Sequence, residues 1–201
     1  MKQALLIFSK NLIYGEVKTR LALTVGDDKA LSVYKYLLQH TVSVCEKLPV
    51  DKIVFYSRYI DMQDGWSNEV YKKQVQSGDD LGERMENSFH YAFSAGFNQT
   101  VIIGTDCFDI TTAIILKAFE KLKDHDVVIG PAIDGGYYLL GMKQPRPLLF
   151  YNILWSTGEV LQKTLAICKI MELHVYQLPE LKDIDREDDL NDVQKQMLNI
   201  K

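Results

Sequence analysis

Several short segments of this chain carry residue types whose spacing suits chemistry on phosphates. The first, Lys10-Asn11-Leu12-Ile13-Tyr14-Gly15-Glu16-Val17-Lys18-Thr19-Arg20-Leu21, places a glycine among three cations. Lysine supplies a point charge and arginine a planar fork for two phosphate oxygens, so Lys10, Gly15, Lys18 and Arg20 are candidates for holding a di- or triphosphate. A solvated basic loop before a helix has the same composition, and the GxxxxGK[ST] pattern of a P-loop is absent. The second, Gly104-Thr105-Asp106-Cys107-Phe108-Asp109, offers Asp106 as a ligand for a hard cation such as Mg²⁺, which takes one or two carboxylates plus substrate phosphates. Asp109 reads as a helix cap. The third, Gly130-Pro131-Ala132-Ile133-Asp134-Gly135-Gly136-Tyr137-Tyr138, combines a carboxylate for hydroxyls with glycines that let backbone approach a ligand. A structural turn has the same signature. The run Asp183-Ile184-Asp185-Arg186-Glu187-Asp188-Asp189 by itself reads as a favourable helix N-terminus. Gly78 and Arg84 sit where a helix start receives anions, and Trp155-Ser156-Thr157 offers a pocket wall.

The elements that must position these residues alternate. Residues 4–8, 52–56, 100–104 and 126–130 are short, nearly continuous apolar runs, the pattern of strands covered on both faces. Ala30, Tyr34, Leu37, Thr41, Val44 and Leu48 mark one buried helix stripe, and residues 81–96 a second helix. Ile114, Ala118 and Leu122, with Ile115 and Phe119 beside them, mark a third, capped by Thr111 or Thr112. Residues 158–169 and 186–197 predict two more helices, 174–178 a late strand, and 137–141 a strand added through the Asp134-Gly135-Gly136 turn. Strand–helix–strand repetition implies right-handed crossovers and a mostly parallel α/β sheet, with helices on both faces and an added β hairpin. In such a sheet ligands bind outside the carboxyl ends of the strands, where the basic loop and Asp106 both fall. Residues 61–68 are the most loop-like stretch.

The length of 201 residues suits one domain, 1–201, with a sizeable core. The net charge of −4 points away from nucleic acid and anionic membrane. No window reaches the roughly 18 apolar residues of a membrane span, and the short N-terminal apolar run does not make a signal segment. Cys45, Cys107 and Cys168 are odd in number and widely spaced, so the expectation is a reduced, cytoplasmic protein without a disulfide framework or zinc site. The four histidines form no metal or nucleophile constellation, and no His supports Cys107 as a nucleophile.

Taken in order, Gly15-Glu16-Val17-Lys18-Thr19-Arg20-Leu21, Gly78-Asp79-Asp80-Leu81-Gly82-Glu83-Arg84-Met85, Gly104-Thr105-Asp106-Cys107, residues 130–138 and Asp183-Ile184-Asp185 resemble a small bacterial family of glycosyltransferase A-like proteins. That family belongs to the nucleotide-diphospho-sugar transferase superfamily and is related to the phospholactate and molybdenum-cofactor guanylyltransferases. The resemblance spans residues 10–190 and implies a GT-A-type fold. It also implies Asp106 and Asp185 as ligands of Mg²⁺ or Mn²⁺, Lys18 and Arg20 as phosphate-holding catalytic residues, and an acceptor side shaped by Asp134, Gly135, Gly136 and Tyr137, which Trp155 would join. Asn11 and Phe108 stand where the family pattern has proline, and Gly104 leaves the DxD motif incomplete. The implied reaction is metal-dependent glycosyl transfer from a nucleotide-sugar to a small acceptor. Nucleotidyl transfer from a nucleoside triphosphate to a phosphorylated acceptor is the alternative, and a non-catalytic nucleotide-binding domain the second.

Overall fold

The computed structural model describes residues 1–197 and 200. One sheet of seven strands organises it: β1 (Gln3–Ser9), β2 (Asp51–Tyr56), β3 (Tyr71–Val75), β4 (Gln99–Ile103), β5 (Val127–Pro131), β6 (Tyr137–Met142) and β7 (Val175–Gln177), in the order β3-β2-β1-β4-β6-β5-β7. Strand β6 runs antiparallel to both of its neighbours; every other pairing is parallel. The expected apolar runs are thus the central strands, and the added strand is half of a β5–β6 hairpin wedged into the sheet.

Alternation along β1 divides the core. Leu5 and Ile7 pack on one face with Val44 and Cys45 of α2 (Asp27–Cys45) and with Ile115, Ala118 and Phe119 of α4 (Thr112–Lys121). Ala4 and Leu6 pack on the other with Met85, Phe89 and Ala92 of α3 (Leu81–Ser94) and Cys168 of α5 (Val160–Ile170). This is the period-two geometry of a strand buried on both sides. Short α1 (Thr19–Val25) closes a third cluster, where Leu21 meets Ala30, Val33 and Leu37 of α2 and Ile184. Thr111 caps α4, its hydroxyl accepting the Ile114 N–H at 3.3 Å.

One expectation is corrected, one strand is an addition to those expected, and residues 61–68 form the loop expected. The helix over 186–197 is broken into a 3-10 turn (Glu187–Asp189) and α6 (Asp192–Met197). The Asp189 carboxylate accepts the N–H groups of Asp185 and Arg186 at 2.9 and 2.7 Å, which folds the chain into a single turn. Asn191 then restarts the helix by exchanging side-chain hydrogen bonds with Gln194 at 2.9 Å in both directions. Strand β3, Tyr-Lys-Lys-Gln-Val, has no apolar run to reveal it, because it lies at the sheet edge, where lysines discourage further pairing. Residues 61–68 are fastened down: Trp66 is buried, and Asp64 pairs with Lys73 of β3 at 2.8 Å. Among the described residues no helix is long and apolar enough to cross a membrane.

Candidate active site

The carboxyl ends of β1 to β4 and the β5–β6 turn open onto one cleft of about 690 Å³, within the range of small-molecule sites. Its floor begins at the loop after β1. Lys18 precedes α1 in the left-handed region (φ 49°), which costs a non-glycine residue energy unless its surroundings fix it. What fixes it is charge: the Lys18 ammonium, its side chain only 4% exposed, sits 2.5 Å from Asp106 and 3.4 Å from Asp185. Burial opposes that charge, but Asp106, Asp185 and Asp183 outweigh it and raise the Lys18 pKa above its ordinary value. Exposed Arg20 reaches the other oxygen of Asp185 at 3.2 Å. Tyr34, from α2, accepts the Lys10 N–H at 2.8 Å and meets the Thr105 hydroxyl at 3.1 Å, tying the loop after β1 to the loop after β4.

The segment carrying Asp185 runs extended beside Asp106. Ile184 donates its N–H to the Asp106 carbonyl at 2.9 Å, and Asp183 bridges Cys107. Since side chains two apart in an extended chain share a side, Asp183 and Asp185 both line the cleft while Ile184 is buried in the third core cluster.

Most of the expected site residues line this cleft: Lys10, Lys18, Arg20, Arg84, Asp106, Asp134, Gly136, Tyr137, Trp155 and Asp185. Gly15, Gly78 and Gly135 do not, and each serves the backbone instead. Gly15 (φ 74°) turns an exposed loop. The Gly78 carbonyl accepts from Arg84 Nε at 3.0 Å, which aims the rest of the guanidinium. Gly135 (φ 86°) lies against the backbone of Gly158, where any Cβ would collide. At the start of α3 the Asp80 carboxylate accepts the Glu83 N–H at 2.9 Å, and Arg84 is the cation that helix adds to the lining. Asn11 replaces the rigidity of proline with hydrogen bonds, its Oδ1 accepting the Arg58 N–H at 3.0 Å and its Nδ2 donating to the Tyr59 carbonyl at 2.9 Å. Phe108 stacks on Tyr36 at 5.1 Å. Residues 61–68 and 145–152 are absent from the lining.

Asp183 is the residue that sequence reasoning missed; its two-residue spacing from Asp185 in an extended stretch was the available signal. Burial first, then the charges of Asp106 and Asp134, push its carboxyl up to about 7 against the pull of Lys18. A carboxyl held above its unfolded value makes the folded state retain a proton, so stability falls as pH rises through that interval and stays low above it. Asp183→Asn is therefore expected to stabilise the protein at pH 8. The shift bounds the gain at about 4 kcal/mol, and water entering the open cleft reduces it to about 2 kcal/mol. The gain should shrink below pH 7 and vanish near pH 4. Denaturant unfolding of both proteins across that range tests this, and a gain independent of pH would refute it.

Residues 41–157 match the family described as uncharacterized protein conserved in bacteria, DUF2064. The chain belongs to the DUF2064 family. A solved protein from Desulfovibrio desulfuricans G20, assigned by inference to the nucleotide-diphospho-sugar transferases, is 34% identical over 92% of this DUF2064 chain and 84% of its own, with a TM-score of 0.84. The inositol-1-phosphate CTP transferase of T. maritima shares the fold at 14% identity (100% and 96% covered, TM-score 0.57). So does Rv0371c of Mycobacterium tuberculosis H37Rv, solved with manganese, at 11% identity (94% and 96% covered, TM-score 0.55). No curated protein matches. The DUF2064 chain thus has the GT-A, Rossmann-like fold of nucleotide-diphospho-sugar transferases and nucleotidyltransferases.

Proposed function

We propose that this DUF2064 protein is a transferase using a nucleotide-activated donor, most consistent with glycosyl transfer from a nucleotide-sugar to a small acceptor, with residues 1–201 acting as one domain. The observation that carries the reading is the convergence of Lys10, Lys18, Arg20 and Arg84 with Asp106 and Asp185 in one cleft at the strand ends. Four cations suit a diphosphate. In the reaction, the bond from the sugar's anomeric carbon to the phosphate oxygen breaks, a bond to the acceptor oxygen forms, and the acceptor's proton passes to the site or to water. Lys18 and Arg20 would stabilise the charge that collects on the departing nucleoside diphosphate, and Asp134 would orient the acceptor hydroxyl.

A divalent cation agrees with the donor set. Asp106 and Asp185 already converge on one cation, the Lys18 ammonium, and two carboxylates are what Mg²⁺ or Mn²⁺ takes when phosphates and water complete its shell. Among the described residues no group of three or more His, Cys, Asp or Glu is arranged to hold a metal alone, so substrate oxygens would have to contribute. When bound, the ion would supply Lewis-acid neutralisation of the diphosphate.

A thermal-shift screen of nucleoside di- and triphosphates and nucleotide-sugars, with and without Mg²⁺ and Mn²⁺, tests this reading. A ligand at about one hundred times its dissociation constant adds about 2.7 kcal/mol to native stability. The expected result is a nucleotide shift enlarged by metal; no shift with any nucleotide would overturn the reading. The shared fold of a CTP transferase supports nucleotidyl transfer as the second reading. Pyrophosphate release from a nucleoside triphosphate and a phosphorylated acceptor would establish it over glycosyl transfer.

A further inference from the structure

Cations of the chain itself already occupy the two carboxylates that suit a divalent ion. The Lys18 ammonium lies 2.5 Å from Oδ1 of Asp106 and 3.4 Å from Oδ1 of Asp185, and Arg20 holds Oδ2 of Asp185 at 3.2 Å. Each carboxylate therefore has a cation against it, and both oxygens of Asp185 are engaged. A divalent ion needs open carboxylate oxygens. Here it would meet engaged ones, with an ammonium at the position between them to repel it.

The two sides of this contact differ in how firmly they are held. Backbone fixes the carboxylates: the Asp106 carbonyl accepts the Ile184 N–H at 2.9 Å, and the Asp185 N–H donates to the Asp189 carboxylate at 2.9 Å. The Thr105 hydroxyl, next to Asp106, meets Tyr34 at 3.1 Å. Lys18 instead reaches in on its long stem from the residue before α1. Among the described residues, Asp106 and Asp185 are the partners of its ammonium. A lysine stem is flexible and carries a point charge with rotatable donors, so it can swing without moving the helix that follows. Lys18 also lines the same cleft as Lys10, Arg20 and Arg84, so an ammonium that leaves the carboxylates has the place of a diphosphate beside it.

We infer that Lys18 is an exchangeable stand-in for the divalent ion: it holds Asp106 and Asp185 until metal takes them, and its ammonium then passes to the diphosphate. Metal alone has to drive a buried ammonium off its carboxylates. Nucleotide alone has to strip that ammonium and leave two carboxylates unpaired. Together, each ligand satisfies the group that the other displaces. Binding of one therefore strengthens binding of the other, by the same factor in both directions. The inference rests on the proposed transferase function and adds the control of that site: without nucleotide, the protein's own lysine keeps the metal position closed.

Two measurements on the full chain test it, and neither needs turnover. The electron paramagnetic resonance of free Mn²⁺ gives the metal affinity of nucleotide-free protein, and Lys18→Met is expected to bind Mn²⁺ about tenfold or more tightly than wild type. Acetylation by an N-hydroxysuccinimide ester, read at each lysine by mass spectrometry, reports where the ammonium lies. Lys18, buried in its ion pair, is expected to react about fivefold or more faster once Mn²⁺ saturates wild type. It should slow again when a nucleoside diphosphate that stabilises the protein is added. Lys73, buried away from the cleft, should not change, which shows that the fold has not loosened. Repulsion without exchange would tighten Mn²⁺ on Lys18→Met yet leave Lys18 of the wild type protected. That protection at saturating Mn²⁺, a Lys18→Met affinity no higher than wild type, or Mn²⁺ binding to neither protein overturns the inference. Should Lys18→Met not fold, the acetylation result decides alone. Nucleotide-induced stabilisation on the same sample separates the two failures. Protein that no nucleotide stabilises loses both readings, and protein that nucleotide stabilises while Lys18 stays protected loses only this one.

Discussion

Asp106→Asn is expected to lower turnover by about a hundred- to a thousandfold while the protein stays folded. The amide keeps the shape of the side chain, so the loop after β4 and its pairing with Ile184 should persist. What disappears is one charge of the pair that converges on the Lys18 ammonium, and the nearer one. Removing one preorganised electrostatic contact from a site typically costs that factor in rate. Asp106 is 39% exposed, so the loss to folding should stay near 1 kcal/mol after solvent screening. Release of nucleoside diphosphate from a nucleotide-sugar that stabilises the wild type, measured with Mg²⁺, gives the turnover. A variant that retains wild-type turnover would remove Asp106 from the mechanism. One that is inactive because it no longer melts cooperatively would make its role structural.

How much of this was legible in the sequence follows from what each residue type reports. The central strands were visible because both faces of the sheet are covered, which forces continuous apolar runs such as Ala4 to Ile7. Edge strand β3 was not, since Lys72 and Lys73 obey the demands of an edge and a clamp rather than those of a core. Lys10, Lys18, Arg20, Arg84, Asp106 and Asp185 were legible as charged residues at the ends of predicted elements; that Lys18 is buried between two carboxylates was not, because ion pairing across 167 residues leaves no periodicity. Glycines misled in a consistent way. Gly15, Gly78 and Gly135 mark special backbone, and sequence cannot say whether that backbone faces a ligand or another turn of chain.

Lys73→Met should have the largest effect on stability, about 3–5 kcal/mol, the usual cost of stranding one partner of a buried ion pair. The side chains of Lys73 and Asp64 are 5% and 10% exposed. The ammonium donates to Asp64 at 2.8 Å and to the Asp61 carbonyl at 2.7 Å, and the Tyr56 hydroxyl donates to the remaining Asp64 oxygen. Burial and the Asp64 carboxylate drive the Tyr56 hydroxyl well above its ordinary pKa, which keeps it a donor to Asp64. Methionine fills much of the volume of the lysine stem but leaves the Asp64 side chain, which accepts the Trp66 N–H, with one donor lost. If stranded charge is the cause, the double variant Lys73→Met with Asp64→Asn should recover a substantial part of the loss, because the amide removes the charge that has no partner. If packing is the cause, the double variant should be no better than the single one. Denaturant unfolding of wild type, both singles and the double closes that cycle, and a Lys73→Met loss below about 1 kcal/mol would show the pair to be nearly neutral. Neither residue lines the cleft. The stabilisation conferred by nucleotide should therefore be the same in every one of these proteins, which separates the clamp that holds residues 61–68 to the sheet from the chemistry at the strand ends.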